Sequence, residues 1–370
     1  MSDQNRMSAI SKINPELWTA AMESEYFEDY LTSGGSAVKF ISGNDETLST
    51  AVHQLKQLTQ KLNYHLAILD PSQLDANNKK PDLHRIEKFF FQVTSEVDWK
   101  NWAAENAKEY LKRQGLFIRS DRALNDIDGI AKDNNRDVTD LITSFQTGFA
   151  TPLIKDHNLS IEFRSALTAL SRAQIISESM TPTKEEVLLS WLQGTRIGGD
   201  LAALKSILIY SRIDRTNARH ILTSFCRWLP RTGRSGLVVI LDFRPYDAKK
   251  TSKAQKEKSV LKRLHEARAR GAGIEELNTI LDENTTDESI YYSDQAYLQM
   301  LQLLRMFIDD TEVFQGFCLV VLTSPSFYVK STEVRNFYDY DALQTRIGLE
   351  VRDINKANPS AALVHLEATV

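Results

Sequence analysis

Apolar positions along this chain follow two rhythms. Short runs of β-branched, aromatic and leucine residues at 37–41, 64–69, 236–241, 317–322 and 361–366 read as buried strands. Between them, apolar residues recur every three or four positions, as an amphipathic helix requires. Leu48, Val52, Leu55, Leu58 and Leu62 form one such stripe, and Ala296, Leu298, Leu301, Leu304 and Phe307 another. The region from His84 to Ile207 is mostly helical in pattern, with Trp99, Trp102, Phe145, Phe163 and Leu167 expected to pack as core. Further helices are predicted over 216–229 and 340–355. Asn14-Pro15 reads as a helix cap followed by proline at the first helical position, and Thr183 as the cap of another helix. The run 236–241 is wholly apolar, which suggests a sheet covered by helices on both sides.

This order predicts an α/β architecture with five mostly parallel strands and a large helical insertion between the second and third. The predicted segments are an N-terminal helical piece (1–34), a first half of the core (35–98), the insertion (99–207), and a second half (208–370) with a basic insertion at 247–290. A chain of 370 residues supports a core of that size, and 42% hydrophobic with 25% charged residues is a globular composition. The net charge of −4 gives no overall attraction to nucleic acid or membrane. Cys226 and Cys318 show no metal-ligand spacing and are expected to be buried thiols in a reducing cytoplasm. No apolar run has the length of a membrane span.

The candidate chemistry lies at strand ends. Residues 37–41 lead through Gly43 into the Leu48 stripe, the strand–turn–helix frame of a phosphate-binding loop. Laid from Gly43, the pattern G-x-x-x-x-G-K-[ST] matches at Gly43 and Thr50. Leu48 replaces its second glycine and Ser49 its lysine. Asp45 and Glu46 add negative charge to the same loop, and one unit charge pair at ~4 Å is worth about 4 kcal/mol near a protein surface. The frame also fits an ordinary strand–turn–helix. The third strand ends in Asp242, the form of a Mg²⁺-holding acid, but Phe243 follows where hydrolytic enzymes of this broad class place a water-orienting glutamate. The fourth strand ends in Thr323-Ser324, hydroxyls at the edge where open α/β sheets bind ligands.

Several ordered blocks resemble the ATP-binding subunits of BREX-type phage-defence systems: residues 34–40, 236–242, 304–311 and 346–353, followed by Asn358-Pro359. The resemblance runs from about Trp18 to Leu366. It implies a P-loop, AAA-like core and a bacterial defence protein in a multi-subunit complex acting against foreign DNA. Carried over residue by residue, it makes Gly43, Ser49, Thr50, Asp242 and Thr323 a degenerate nucleotide site, with Ser324 an alternative γ-phosphate sensor. Arg346 and Arg352 become candidates for nucleotide or neighbour contact, or for plain salt bridges. The cofactors implied are ATP and Mg²⁺, or none. The missing lysine and glutamate favour a scaffold or regulator for an active helicase, ATPase, nuclease or methyltransferase partner, in an oligomer or heteromer. The alternative is an ATPase active only within its assembly, with Lys39 or a neighbouring subunit replacing the lost lysine.

Two basic regions complete the picture. Lys249, Lys250, Lys253, Lys262 and Arg263 belong to a lysine-rich stretch that is a candidate DNA or partner contact, or a solvated helix. Arg212, Arg215, Arg219, Arg227, Arg231 and Arg234 are a solvated face, a subunit interface or a phosphate contact. The histidines, including His53, His65, His84 and His220, have no metal-ligand spacing.

Overall fold

The computed structural model describes residues 11–74, 80–195, 201–247, 262–271, 273, 276, 292–331, 335–350 and 360–368. The strands are β1 (Ser11–Ile13), β2 (Ser36–Ser42), β3 (His65–Leu69), β4 (Leu237–Asp242), β5 (Phe317–Thr323) and β6 (Leu363–Leu366). They form one sheet in the order β1-β6-β2-β5-β4-β3, with every pair parallel. The class is therefore α/β, as the buried runs predicted, but with six strands instead of five. The extra strand lies in the segment read as wholly helical. It is three residues long and pairs Ser11 with Val364 and Ile13 with Leu366, too short to show alternation in the sequence.

Period-two alternation divides the core between the two faces of the sheet. Val238, Ile240, Cys318, Val320 and Ile41 point to one face and pack with Trp18, Met22, Leu48, Ala51 and Leu55. These last five belong to α1 (Pro15–Met22) and α2 (Asp45–Lys61). Leu237, Val239, Leu241, Leu319, Val321 and Phe40 point to the other face and pack with the helical insertion.

That larger layer includes α3 (Ile86–Val93), α4 (Trp99–Arg113), α5 (Ile127–Asp133), α6 (Val138–Phe145), α7 (Ile161–Ile175), α8 (Pro182–Gln193) and α9 (Ala218–Trp228). Helices α10 (Asp294–Asp309) and α11 (Asp341–Glu350) complete it. Its centre is aromatic: Trp99 stacks on Trp228 with centroids 6.0 Å apart, and Trp102 lies 8° from parallel with Phe225. Residues far apart in the chain thus share one buried cluster with the sheet.

The caps follow the sequence with one shift. Asn14 accepts from the Leu17 N–H at 2.8 Å. Helix α8 is capped by Thr181, two residues before the predicted Thr183, with Pro182 at its first position. A glycine is required at Gly236, because a Cβ there would collide with the Gly316 carbonyl at the entry of β5. Cys226 and Cys318 are buried and unpaired to each other, as expected.

Candidate functional site at the carboxyl edge of the sheet

Among the described residues, the exit of β2 is the one in the centre of the sheet that turns to the smaller helical layer. After β2 the chain enters α2 on that face, whereas β3, β4 and β5 lead to α3, α10 and α11 on the other. Because β2 and β5 are neighbours, their exits diverge, and the crevice beyond them is where a parallel α/β sheet binds ligands. Ser42 pairs with Thr323 there, and Asp242 with Leu322. Gly43, Asp242 and Thr323, drawn from distant parts of the chain, therefore do meet at one edge.

The turn at Gly43 is shorter than a phosphate loop. Strand β2 ends at Ser42 and α2 begins at Asp45, leaving Gly43 and Asn44 between them. Asn44 caps the helix, its side chain accepting from the Thr47 N–H at 2.8 Å. Ser49 and Thr50 lie within the helix, and the Thr50 hydroxyl donates to the Glu46 carbonyl at 2.9 Å. Neither residue is part of a loop that could wrap a phosphate. Leu48 is a core residue at 1% exposure, which accounts for its presence where the pattern has glycine. Gly43 has its own packing reason: a Cβ would strike the Thr47 hydroxyl and lie 3.2 Å from the Leu366 carbonyl. Asp45 and Glu46 in the first turn oppose the positive end of the helix dipole and would repel an anion.

The acid at the end of β4 is already occupied. Asp242 Oδ1 accepts from the Arg244 backbone N–H at 3.1 Å and from Arg244 Nε at 2.9 Å, and Oδ2 accepts from Nη2 at 2.6 Å. The same guanidinium pairs through Nη1 with Asp45 on α2. Arg244 thus spans from the end of β4 to the start of α2. It is held strongly cationic, first by the Asp242 hydrogen bond, with burial acting against it and both carboxylates adding attraction. Asp242 meets a fork of donors in the bidentate geometry that arginine favours, and its oxygens are spent on that pair. Nearby, Asp247 accepts from Ser324 Oγ at 2.5 Å. Burial pushes the Asp247 carboxyl up to about 6, the Ser324 bonds oppose the shift, and the Asp242 charge adds to it. Thr323 is fully buried, its hydroxyl donating to the Ile41 carbonyl at 3.1 Å and lying 3.0 Å from the Tyr328 hydroxyl, which leaves it poorly placed to sense a phosphate. These residues do not fit a Mg²⁺–nucleotide pair as they stand: the acid is saturated by arginine and the loop is two residues long. Among the described residues no group of three or more His, Cys, Asp or Glu is placed to hold a metal ion.

The remaining candidates are distributed elsewhere. Lys39 is buried in mid-strand, donating to the Tyr26 hydroxyl at 2.6 Å and the Ser360 carbonyl at 2.5 Å, away from the carboxyl edge. Arg346 pairs with Asp309 (Nη2 to Oδ2, 3.0 Å) and with the Ala342 carbonyl at 2.9 Å, which is the salt-bridge alternative. Both line a cavity of about 410 Å³ beside β2, but with their donors engaged. Lys249, Lys250, Lys253 and Arg352 lie outside the described residues. Lys262 and Arg263 lie on a helical stretch over 262–269, where Lys262 is exposed and 3.9 Å from Glu266. The arginine-rich region is largely internal wiring. Arg219 pairs with Asp310 at 2.6 Å, Arg231 with Asp156, and Arg234 with Glu105 at 2.9 Å while stacking 3.5 Å over Trp102. Arg212 and Arg215 are exposed.

Sequence reading missed Arg244 and Asp247 as members of this edge. The signal was available: Asp242, Arg244 and Asp247 stand within six residues of a strand exit, close enough to satisfy one another. In class, the chain is an open, all-parallel α/β sheet with helices on both faces, the larger layer on one side, and a polar crevice at its carboxyl edge. No family model, curated protein or solved structure matches it. No helix among the described residues is long and apolar enough to cross a membrane.

Proposed function

We propose that this chain is a non-hydrolysing, ATPase-like subunit of a bacterial anti-phage defence complex, a scaffold or regulator for an active ATPase, helicase or nuclease partner in the cytoplasm. The observation that carries the catalytic half of the reading is Arg244. Its guanidinium lies between Asp242 and Asp45, in the crevice where Mg²⁺ and phosphate would enter an AAA-like core. A cation built into the chain does there what a bound metal would do for the carboxylates, and nothing in the crevice then draws a nucleotide. The strand arrangement supports an AAA-like ancestry, because the loop strand sits centrally with the Asp242 strand one place removed beyond β5. The defence setting rests on the sequence blocks that resemble BREX-type subunits. Titration calorimetry of the isolated chain with ATP and Mg²⁺ is expected to give no saturable heat. Micromolar binding accompanied by phosphate release would refute the proposal.

A further inference from the structure

A second arginine stands in the opposite condition. Helix α7 turns its apolar residues Phe163, Leu167 and Leu170 into the core. Ser165, Thr168 and Arg172, at positions i, i+3 and i+7, share another face and line a cavity of about 300 Å³. Ser165 is 3% exposed and its Oγ has no hydrogen-bond partner. Arg172 is half-buried, and its Nε is enclosed without a partner among the described residues. Buried donors of this kind are ordinarily satisfied, and each exception calls for a physical explanation. The rest of the lining includes Ile154, Ile207 and Leu208 alongside Gln146, Thr151 and Ser206, so the cavity offers apolar as well as polar contacts.

The backbone around the cavity is also irregular. Residues Gln146–Ala150 form a π-helical turn between α6 and the short helix Thr151–Ile154. Leu208 takes φ 63°, a left-handed conformation that costs a branched residue roughly 1–2 kcal/mol. Both shape the wall facing Arg172, and such departures tend to persist where a site needs them.

From these observations we infer that the helical layer holds a binding site for a small organic monoanion, a carboxylate with a short apolar body. Among the described residues, the lining contains one formal cation and no aspartate or glutamate. A carboxylate would neutralise Arg172 in the bidentate geometry a guanidinium favours, and accept from the Ser165 hydroxyl. A phosphate dianion would leave one charge uncompensated in a partly buried site. The volume is at the lower end of small-molecule sites, which limits the ligand to a compact metabolite. The site lies in the helical insertion and is independent of the reading of the sheet edge.

Ligand-observed NMR titration of the full chain with hexanoate tests this, with hexanol and hexyl phosphate as probes of equal chain length. Hexanoate is expected to saturate with a Kd on the order of 1 mM, what a ligand of this size supplies at ordinary efficiency. Hexanol should bind at least about tenfold more weakly, the worth of a charge-assisted pair. Arg172→Gln should weaken hexanoate about tenfold while melting with the wild type, Arg172→Lys should recover part of the loss, and Ser165→Ala should cost roughly threefold. Equal binding of hexanol, tighter binding of hexyl phosphate, undiminished binding by Arg172→Gln, or no saturation by hexanoate would each overturn the assignment. So would displacement of hexanoate by a glutamate-rich peptide at lower concentration, which would make the cavity a protein-docking site.

Discussion

Arg244 and Arg172 are two arginines of one molecule, and the fold treats them in opposite ways. Arg244 sits at the exit of β4, where chain topology delivers Asp242 and Asp45 to within reach of its guanidinium. Asp242 and Asp45 both meet Arg244 there, and a site that resembles a nucleotide pocket in outline is filled by the chain's own guanidinium. Arg172 sits on α7, its apolar neighbours are used by the core, and the cavity it faces brings no acid from among the described residues. A residue type does not announce a binding site; a deficit of partners does. The sheet edge has the motif without the deficit, and the helical layer has the deficit without a motif.

The comparison can be broken most forcefully through the core that holds both regions. Trp228→Ala removes a fully buried side chain from the aromatic cluster joining helices to sheet, and is expected to cost about 3–5 kcal/mol in urea unfolding. A single transition shifted to lower urea is expected. Two resolved transitions would show that the helical layer and the sheet are separate folding units, each setting the surroundings of its own arginine.

A smaller effect tests how tightly the sheet edge is closed. The native carboxyl of Asp247 is raised from 3.8 to about 6 by burial, so the folded protein keeps this proton to higher pH than the unfolded chain. Stability from this residue is therefore present below about pH 4, falls as pH rises toward 6, and stays lower above that. Asp247→Asn removes the titration. Its stability relative to wild type should improve by on the order of 2 kcal/mol between pH 4 and pH 7, read from urea midpoints. A constant difference across that range would mean that the carboxyl is solvated and the crevice is open.

The smallest effect is the sharpest discriminator. Arg244→Met leaves Asp242 without its bidentate partner and should lose about 1–2 kcal/mol, discounted because the guanidinium is partly exposed. Arg172→Gln breaks no pair and should change stability by less than about 0.5 kcal/mol. Matched thermal melts of the two variants check the contrast. Equal losses would mean that Arg172 has a partner in solution.

Much of the fold is legible in the order of residues. Four of the five predicted strands lie within one residue of their observed ends, and the fifth, β6, starts two residues later than its predicted run. Unbroken apolar runs cannot stay in water, so their pattern is a strong local constraint. The three-residue β1 escapes, since its place depends on β6 lying beside it. The convergence of Gly43, Asp242 and Thr323 on one edge is also readable, because parallel strands with helical crossovers all end on the same side. The polar stripe Ser165, Thr168 and Arg172 is equally visible at helical spacing, but the apolar stripe of the same helix draws the reading toward core alone.

By itself, then, the amino-acid sequence determined the strands, the faces of the helices and the edge at which distant polar groups gather, because each is a matter of local periodicity and chain connectivity. The folded arrangement alone settles that the Gly43 turn has two residues, that Ser49 and Thr50 are helical, that Arg244 fills the crevice and that Arg172 meets no acid among the described residues. Those outcomes depend on distances of a few ångströms between side chains far apart in sequence. Electrostatic and hydrogen-bond satisfaction changes over that scale, while hydrophobic patterning does not.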